Sequence, residues 1–388
     1  MRIEFGSDDH SARQPIAGRW LACGSRTVRT LSYGRPCDAR GDEQVPRNGH
    51  RKWLRSISGG AVGARNLVSL GFGQAVFAAT SWGIVSVIAV LGSAEAVGQL
   101  AFALAIVTPT YSFAKLRLRS VVATDVDAQQ SLPDYAATAF LGAVLALPAC
   151  LLIAVVTDAD GELLAIVGLV ALSRAFEAGS HLSYGYQQRS DEMTSVGVSV
   201  TSRGLLTLAL VAGAFALTES VVWAGAMMAL AGGLTFGLFD LRMLGAGLRE
   251  GDAPPHPSLR NVRRIAAATL PLGGFALLMS LTDNIPRLML NSESGLAELG
   301  VFAAFGYVVT GAMALTRALD SAATPRIGRA LADRDPALLA ERVRGLIVMS
   351  SMIGAAGLIL AVTVGEPFLR VAFGSEFAAY STEFVTER

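Results

Sequence analysis

Between Asn66 and Thr363 the chain reads as about nine apolar stretches, each roughly 19–25 residues long, parted by loops whose charge alternates in sign. At 1.5 Å of rise per residue, each stretch carries an α-helix across about 30 Å of hydrocarbon, a length that soluble core helices seldom need. The pattern therefore predicts an all-α, polytopic membrane protein. Composition agrees: hydrophobic residues make up 52% of 388 and charged residues only 16%, against about 25% charged in soluble domains. A net charge of +1 says little by itself, because in a membrane protein the placement of the 32 Lys and Arg decides the topology.

The spans are expected at roughly 66–91, 96–116, 135–156, 162–182, 195–217, 221–244, 264–290, 297–320 and 341–363. On one side of them lie Lys115, Arg117 and Arg119, then Arg189, then Arg242, Arg249, Arg260, Arg263 and Arg264, and finally Arg317, Arg326, Arg329, Arg334, Arg342 and Arg344. The opposite loops are short and carry only acids: Glu95; Asp158, Asp160 and Glu162; Glu219; Glu293 and Glu298. By the positive-inside rule the basic loops are cytoplasmic, which places the amino terminus inside the cell and the chain in the inner or plasma membrane.

Residues 1–60 hold eleven basic against six acidic side chains with little periodicity, as expected of a disordered, basic, cytoplasmic tail, either dispensable or docked on anionic headgroups. They contain no apolar signal-peptide core, so the first span is expected to direct insertion. A first bundle of six helices is expected over 61–244, a cytoplasmic linker rich in Pro over 245–263, and a partial second bundle over 264–388. A weak internal repeat supports the duplication: Leu91-Gly-Ser-Ala-Glu-Ala-Val-Gly98-Gln-Leu-Ala-Phe102 matches Leu290-Asn-Ser-Glu-Ser-Gly-Leu-Ala-Glu-Leu-Gly300-Val-Phe302 in hydropathy and in glycine placement. Cys23, Cys37 and Cys150 lack metal or redox spacing, and Cys150 falls in an apolar stretch where a small buried thiol is expected. There is no GxxxxGK[ST], no HExxH and no GxSxG, so no ATP-binding module, metal or cofactor is expected.

Five stretches resemble the polysaccharide (O-antigen and lipopolysaccharide) flippase branch of the MOP superfamily, which is related to MATE antiporters. They are Leu116-Arg-Leu-Arg119-Ser-Val-Val-Ala-Thr-Asp125; Ser173-Arg-Ala-Phe-Glu177 with Tyr184-Gly-Tyr-Gln187-Gln-Arg189 as the fourth helix and its following loop; Pro271-Leu-Gly273 with Asp283-Asn-Ile-Pro286-Arg287; Glu298-Leu-Gly300-Val-Phe302; and Phe368-Leu-Arg-Val-Ala-Phe373-Gly-Ser-Glu-Phe377. The resemblance implies MATE-like helical bundles and a non-enzymatic transporter. Its implied cargo is an undecaprenyl-diphosphate-linked oligosaccharide, moved to the outer leaflet by alternating access for cell-surface polysaccharide synthesis. The implied partners are that lipid-linked oligosaccharide, membrane lipids, and the polymerase or glycosyltransferases of the same pathway, with no nucleic acid. Such proteins have twelve or more spans, and this chain stops where a tenth helix would start, so a fragment or a truncated, inactive member is a second expectation.

Ionisable side chains at membrane depth cost about 2.5–3.5 kcal/mol each on insertion scales, so those retained tend to face water or one another. Arg174, Glu177 and His181 share one face of the fourth span, where Arg174 is in reach of Glu177. The stripe either lines a cavity, with Arg174 offered to phosphate, or is a self-satisfied pair in a dry seam; His181 is expected nearer the interface. Arg203 lies deep in the fifth span. Asp283 and Arg287 form an i,i+4 pair around Pro286, with Asp283 the expected buried acid, or else Arg287 snorkels to the surface. Arg117, Arg119, Arg317 and Asp320 are expected at the cytoplasmic mouth. Gly233 and Gly237 form a GxxxG read as a close-packing face.

Two rivals remain. A cation-coupled multidrug antiporter needs a deep carboxylate cluster, for which only Glu177 and Asp283 qualify, and a membrane glycosyltransferase or polymerase needs long outer loops that this chain lacks.

Overall fold

Each apolar run closes its backbone hydrogen bonds internally, as a chain dissolved in hydrocarbon must, and among the described residues every regular element is helical. The computed structural model describes residues 60–125, 130–190, 192–250, 256–306 and 336–373. The helices are α1 (Gly60–Leu91), α2 (Ala94–Ala114), the short α3 (Leu118–Thr124), α4 (Leu132–Val156), α5 (Gly161–Arg189), α6 (Met193–Thr218) and α7 (Val221–Thr235). A π-helical turn (Phe236–Asp240) leads into α8 (Leu241–Glu250), and α9 (Leu259–Ser294), α10 (Leu296–Gly306) and α11 (Pro336–Phe373) follow. Seven of the described helices are long and apolar enough to cross a membrane, with shorter apolar segments at Leu296–Gly306 and Val343–Ile359. Arg317, Asp320, the basic tail to residue 59 and the remainder of the span expected at 297–320 lie outside the described residues.

Several boundaries differ from the hydropathy reading. The segment Tyr184–Arg189, expected as a loop, forms the last turns of α5. Leu182, Ser183, Tyr184, Gly185 and Gln187 are buried there, with the Ser183 and Tyr184 hydroxyls bonded to the π turn and α6, so a scale that assigns polarity to water cuts the helix short. The linker expected over 245–263 is also shorter, because α8 runs to Glu250 and α9 begins at Leu259. α11 continues past 363 to Phe373, whose ring meets Trp82 of α1 edge to face at 6.0 Å, and the Ser86 hydroxyl bonds the Ala372 carbonyl.

α2 is the central helix, buried almost continuously from Val97 to Tyr111, while α4, α9 and α11 turn Phe140, Leu145, Leu152, Leu278, Met289, Ile347 and Leu358 outward. Outward leucines are the normal state when the solvent is lipid; what holds such helices together is close packing of small residues. α1 and α6 meet that way: a Cβ on Gly73 would stand 2.7 Å from the Gly197 carbonyl oxygen, and one on Gly197 would stand 2.5 Å from that of Ser69. The GxxxG of the sixth span divides differently from expectation. Gly233 lies against the Phe176 ring and Gly232 against Ser173 and Arg203, whereas Gly237 has open space, because the π turn carries it off the packed face.

The tightest crossing joins the two halves of the repeat. A Cβ on Gly98 of α2 would fall on the Leu296 carbonyl of α10, and one on Gly300 of α10 would fall on the Ala94 carbonyl of α2. Each glycine thus meets the carbonyl of the residue four positions before its counterpart, a reciprocal contact at the acidic end of the bundle.

At the opposite, basic end the halves are tied by one carboxylate. Asp134, 2% exposed at the start of α4, accepts hydrogen bonds from the Ser131 hydroxyl (2.6 Å), the Ser258 amide (2.7 Å) and the Asn261 side-chain amide (3.0 Å). Asp134→Ala strands these donors at the entrance to α9 and is expected to cost on the order of 3 kcal/mol, read as a drop of several degrees in the apparent melting temperature of the detergent-solubilised protein.

Candidate functional site

α5 carries its charged stripe into the middle of the bundle. Glu177 is the hub: its Oε1 lies 3.1 Å from Lys115 Nζ at the end of α2 and 3.6 Å from His181 Nε2, and its Oε2 pairs with Arg174 one turn back. Arg203 of α6, 6% exposed, sits close enough to act on Glu177 electrostatically and donates to the Ser173 carbonyl (3.2 Å) and the Ser180 hydroxyl (3.4 Å). One carboxylate thus faces three permanent cations, and the cluster keeps a positive excess.

Two hollows flank this stripe. The larger, about 450 Å³, opens at the basic end and is lined by Lys115, Arg117, Arg119, His181, Ser280 and Asp283 among others. The smaller, about 70 Å³, is lined by Arg174, Glu177, Arg203, Ser173, Thr80 and Thr207. The guanidinium groups of Arg174 and Arg203 both border the smaller hollow.

The basic wall of the larger hollow depends on a turn. Leu116 and Arg117 both take positive φ (47° and 55°), rare for side chains of this bulk, and the backbone turns there between α2 and α3. Arg117 then lies 6.0 Å from the Phe275 ring centre of α9, while Arg119 stacks 5.4 Å from the Tyr184 ring and donates to Gln188 Oε1 (3.3 Å). Aromatic faces hold both guanidinium groups without neutralising them.

The sequence-derived candidates separate accordingly. Arg174, Glu177, His181 and Arg203 are brought together, but Arg174 is engaged by Glu177 and lines the small hollow, not the large one. Arg117 and Arg119 share the large hollow with His181 and Asp283. Asp283 is exposed, not buried, and the expected Asp283–Arg287 ion pair does not form. Asp283 faces the hollow, while Arg287 turns toward Asn284 Oδ1 (3.5 Å) and buries its Nε without a partner, so the two side chains leave the helix in different directions.

Two participants were missed. In the sequence Lys115 stands out only as one cation of a basic loop, yet it closes the ion cluster around Glu177. Asp240, 1% exposed, was passed over in a stretch that reads as the interfacial end of a span, and the π turn carries it inward. A lone acid within Phe236-Gly-Leu-Phe-Asp240 was the available signal.

The capsular polysaccharide biosynthesis protein CapF of Staphylococcus aureus is 25% identical over 298 residues, which are 76% of this chain and 73% of CapF. No family model matches the chain. Among solved structures, an inward-facing multidrug resistance MATE family transporter of the MOP superfamily superposes with a TM-score of 0.58 at 13% identity, covering 77% of this chain and 74% of its own. The chain has the MATE-like fold of the MOP superfamily. Two further MATE-like structures agree: a MATE in complex with MaL6 (TM-score 0.55, 17% identity, 84% of this chain and 76% of its own) and a MOP superfamily transporter from Pyrococcus furiosus (TM-score 0.52, 18% identity, 81% and 76%). The helices and the solved structures agree on a multi-pass membrane protein of MATE-like fold, and CapF is a capsular polysaccharide biosynthesis protein.

Proposed function

We propose that this MOP protein flips a diphosphate-linked lipid oligosaccharide across the cell membrane for surface polysaccharide synthesis, with its amino terminus in the cytoplasm. The observation that carries the reading is the large hollow at the basic end, where Arg117 and Arg119 converge beside Lys115, itself held by Glu177, and Asp283 is the acid in the lining. A volume of about 450 Å³ lies within the range of roughly 300–1,000 Å³ of small-molecule sites, which suits a diphosphate and its first sugars. Arginine forks held by aromatic faces match phosphate oxygens, and the positive field concentrates an anionic head at the cytoplasmic face.

Carrying the charged head through oil is the barrier, so a polar path through the bundle is what the protein must supply while the polyprenyl tail stays in lipid. The path here runs from the basic hollow past His181 and Glu177 to Arg203. Contact at the Gly98–Gly300 crossing with the basic end open corresponds to one state of an alternating-access cycle; parting that crossing and closing the basic end gives the other.

A cation-coupled antiporter is the second reading, favoured by the buried Asp240 in addition to Glu177. The basic wall repels cationic drugs and argues against it. In a strain lacking its own exporter, the double variant Arg117→Ser/Arg119→Ser is expected to lower surface polysaccharide by about tenfold or more at unchanged protein abundance, since each lost phosphate contact of this type is worth over 1 kcal/mol. Unchanged polysaccharide overturns the phosphate role, and efflux of a cationic dye by the parent protein favours the antiporter.

A further inference from the structure

The large hollow has a direction. Arg117 lies 6.0 Å from the Phe275 ring centre, and Asp283 stands about two turns further along α9, roughly 12 Å nearer the acidic end. Ala276, Met279 and Ser280 fill the α9 wall between them. Arginines therefore border the basic end of the hollow, while a hydroxyl and a carboxylate lie deeper.

Ser280 is oriented by Asn284, 4% exposed, whose side-chain amide donates to the Ser280 carbonyl (2.8 Å) and hydroxyl oxygen (3.4 Å). The hydroxyl thus accepts within its own helix and keeps its proton for a ligand. Asp283 is the one acid among the described residues that line the hollow; its side chain is exposed and forms no ion pair among them. An ionisable group inside a span is costly and ordinarily marks a functional position with a partner of its own. The arginines do not fill that role, because Arg117 is held at Phe275 and Arg119 at Tyr184 and Gln188.

In a site built for phosphate alone a carboxylate is unfavourable, since it repels the anion that the arginines attract. It suits a ligand that presents hydroxyl donors beyond its phosphates, because an ionised carboxylate accepts at both oxygens. A sugar esterified to a diphosphate has that form. The same lipid diphosphate without a sugar ends in a phosphate whose additional oxygen titrates at about pH 6 and so bears further negative charge at neutral pH.

We infer that Asp283, with Ser280, reads the first sugar of the cargo and turns away lipid diphosphate that carries none. The inference rests on the diphosphate reading above and adds a specificity-determining residue to it. Phosphates stay at Arg117 and Arg119, and the sugar lies deeper, its hydroxyls donating to the Asp283 carboxylate and one of its oxygens accepting from Ser280. Attraction of the right head and repulsion of the wrong one then act at the same carboxylate, which is how charged sites gain selectivity.

Equilibrium binding to the purified full chain in detergent tests this with two probes, farnesyl diphosphate and the same molecule bearing N-acetylglucosamine on its terminal phosphate. The parent is expected to bind the sugar-bearing probe about tenfold or more tighter. Asp283→Ala should bring the two affinities within about twofold, mainly by tightening the bare probe, and Asp283→Glu should keep most of the parent's preference. Ser280→Ala should weaken the sugar-bearing probe alone, by about threefold. Arg117→Ser/Arg119→Ser should weaken both probes alike. Equal binding of the two probes by the parent overturns the role of Asp283 and leaves the diphosphate reading standing, as does equal weakening of both by Asp283→Ala; saturable binding of neither probe overturns both.

Discussion

Gly98→Val is expected to abolish surface polysaccharide export and to destabilise the protein severely. The added Cβ would overlap the Leu296 carbonyl, and a backbone carbonyl inside a helix cannot swing aside as a side chain can. Overpacking against yielding side chains costs about 1–3 kcal/mol, so a clash against rigid backbone on both sides of a crossing should exceed that range. Gly300→Val should reproduce the effect, since its Cβ falls on the Ala94 carbonyl. Gly213→Ala and Gly274→Ala, where a Cβ meets open space, should leave export and melting temperature near parental values. Surface polysaccharide and apparent melting temperature, measured across the four variants, check the expectation; a Gly98→Val protein that melts and exports normally would show that the two halves do not rely on this contact.

Glu177→Gln is the second large effect. The substitution keeps the shape of the side chain and removes the negative charge that Lys115, Arg174 and Arg203 share. Stranding one side of a buried pair costs about 3–5 kcal/mol; with Lys115 and Arg174 about a quarter exposed, the lower end, near 3 kcal/mol, is expected here. Loss of export should accompany the loss of stability. Arg174→Gln in the same chain should recover a good part of the stability, because the two changes remove a mutually satisfied pair, and the double-mutant cycle measures that coupling. Additive losses in the cycle would mean that water, not Arg174, balances the acid.

How far the sequence could be read depended on which property carried the information. Span positions follow from hydropathy, a one-dimensional quantity, and α1, α2, α4 to α7 and α9 lie where apolar runs put them, whereas α3 falls in the stretch expected as a basic loop. The stripe of Arg174, Glu177 and His181 was legible because helical periodicity alone puts those residues on one face. Lys115 was not, since its partner is 62 positions away and only the packing of α2 on α5 joins them. Asp240 was hidden for a different reason: periodicity assumes an unbroken α-helix, and the π turn resets the phase just before it. The expected Asp283–Arg287 pair shows the converse error, a spacing that permits contact where cavity and neighbouring side chains draw the two groups apart. The end of α5 failed because buried serines and glutamine look hydrophilic until their partners are known.

The reciprocal glycine crossing is built from main chain against main chain, with neither ions nor titrating groups at the point of closest approach. In the proposed cycle, the stimulus that parts this seam arrives along α2 from the arginine-lined mouth, roughly 25 Å further along that helix. Cargo arrival at one end and release of the lock at the other are, in that proposed cycle, coupled by a lever, not by a chemical signal.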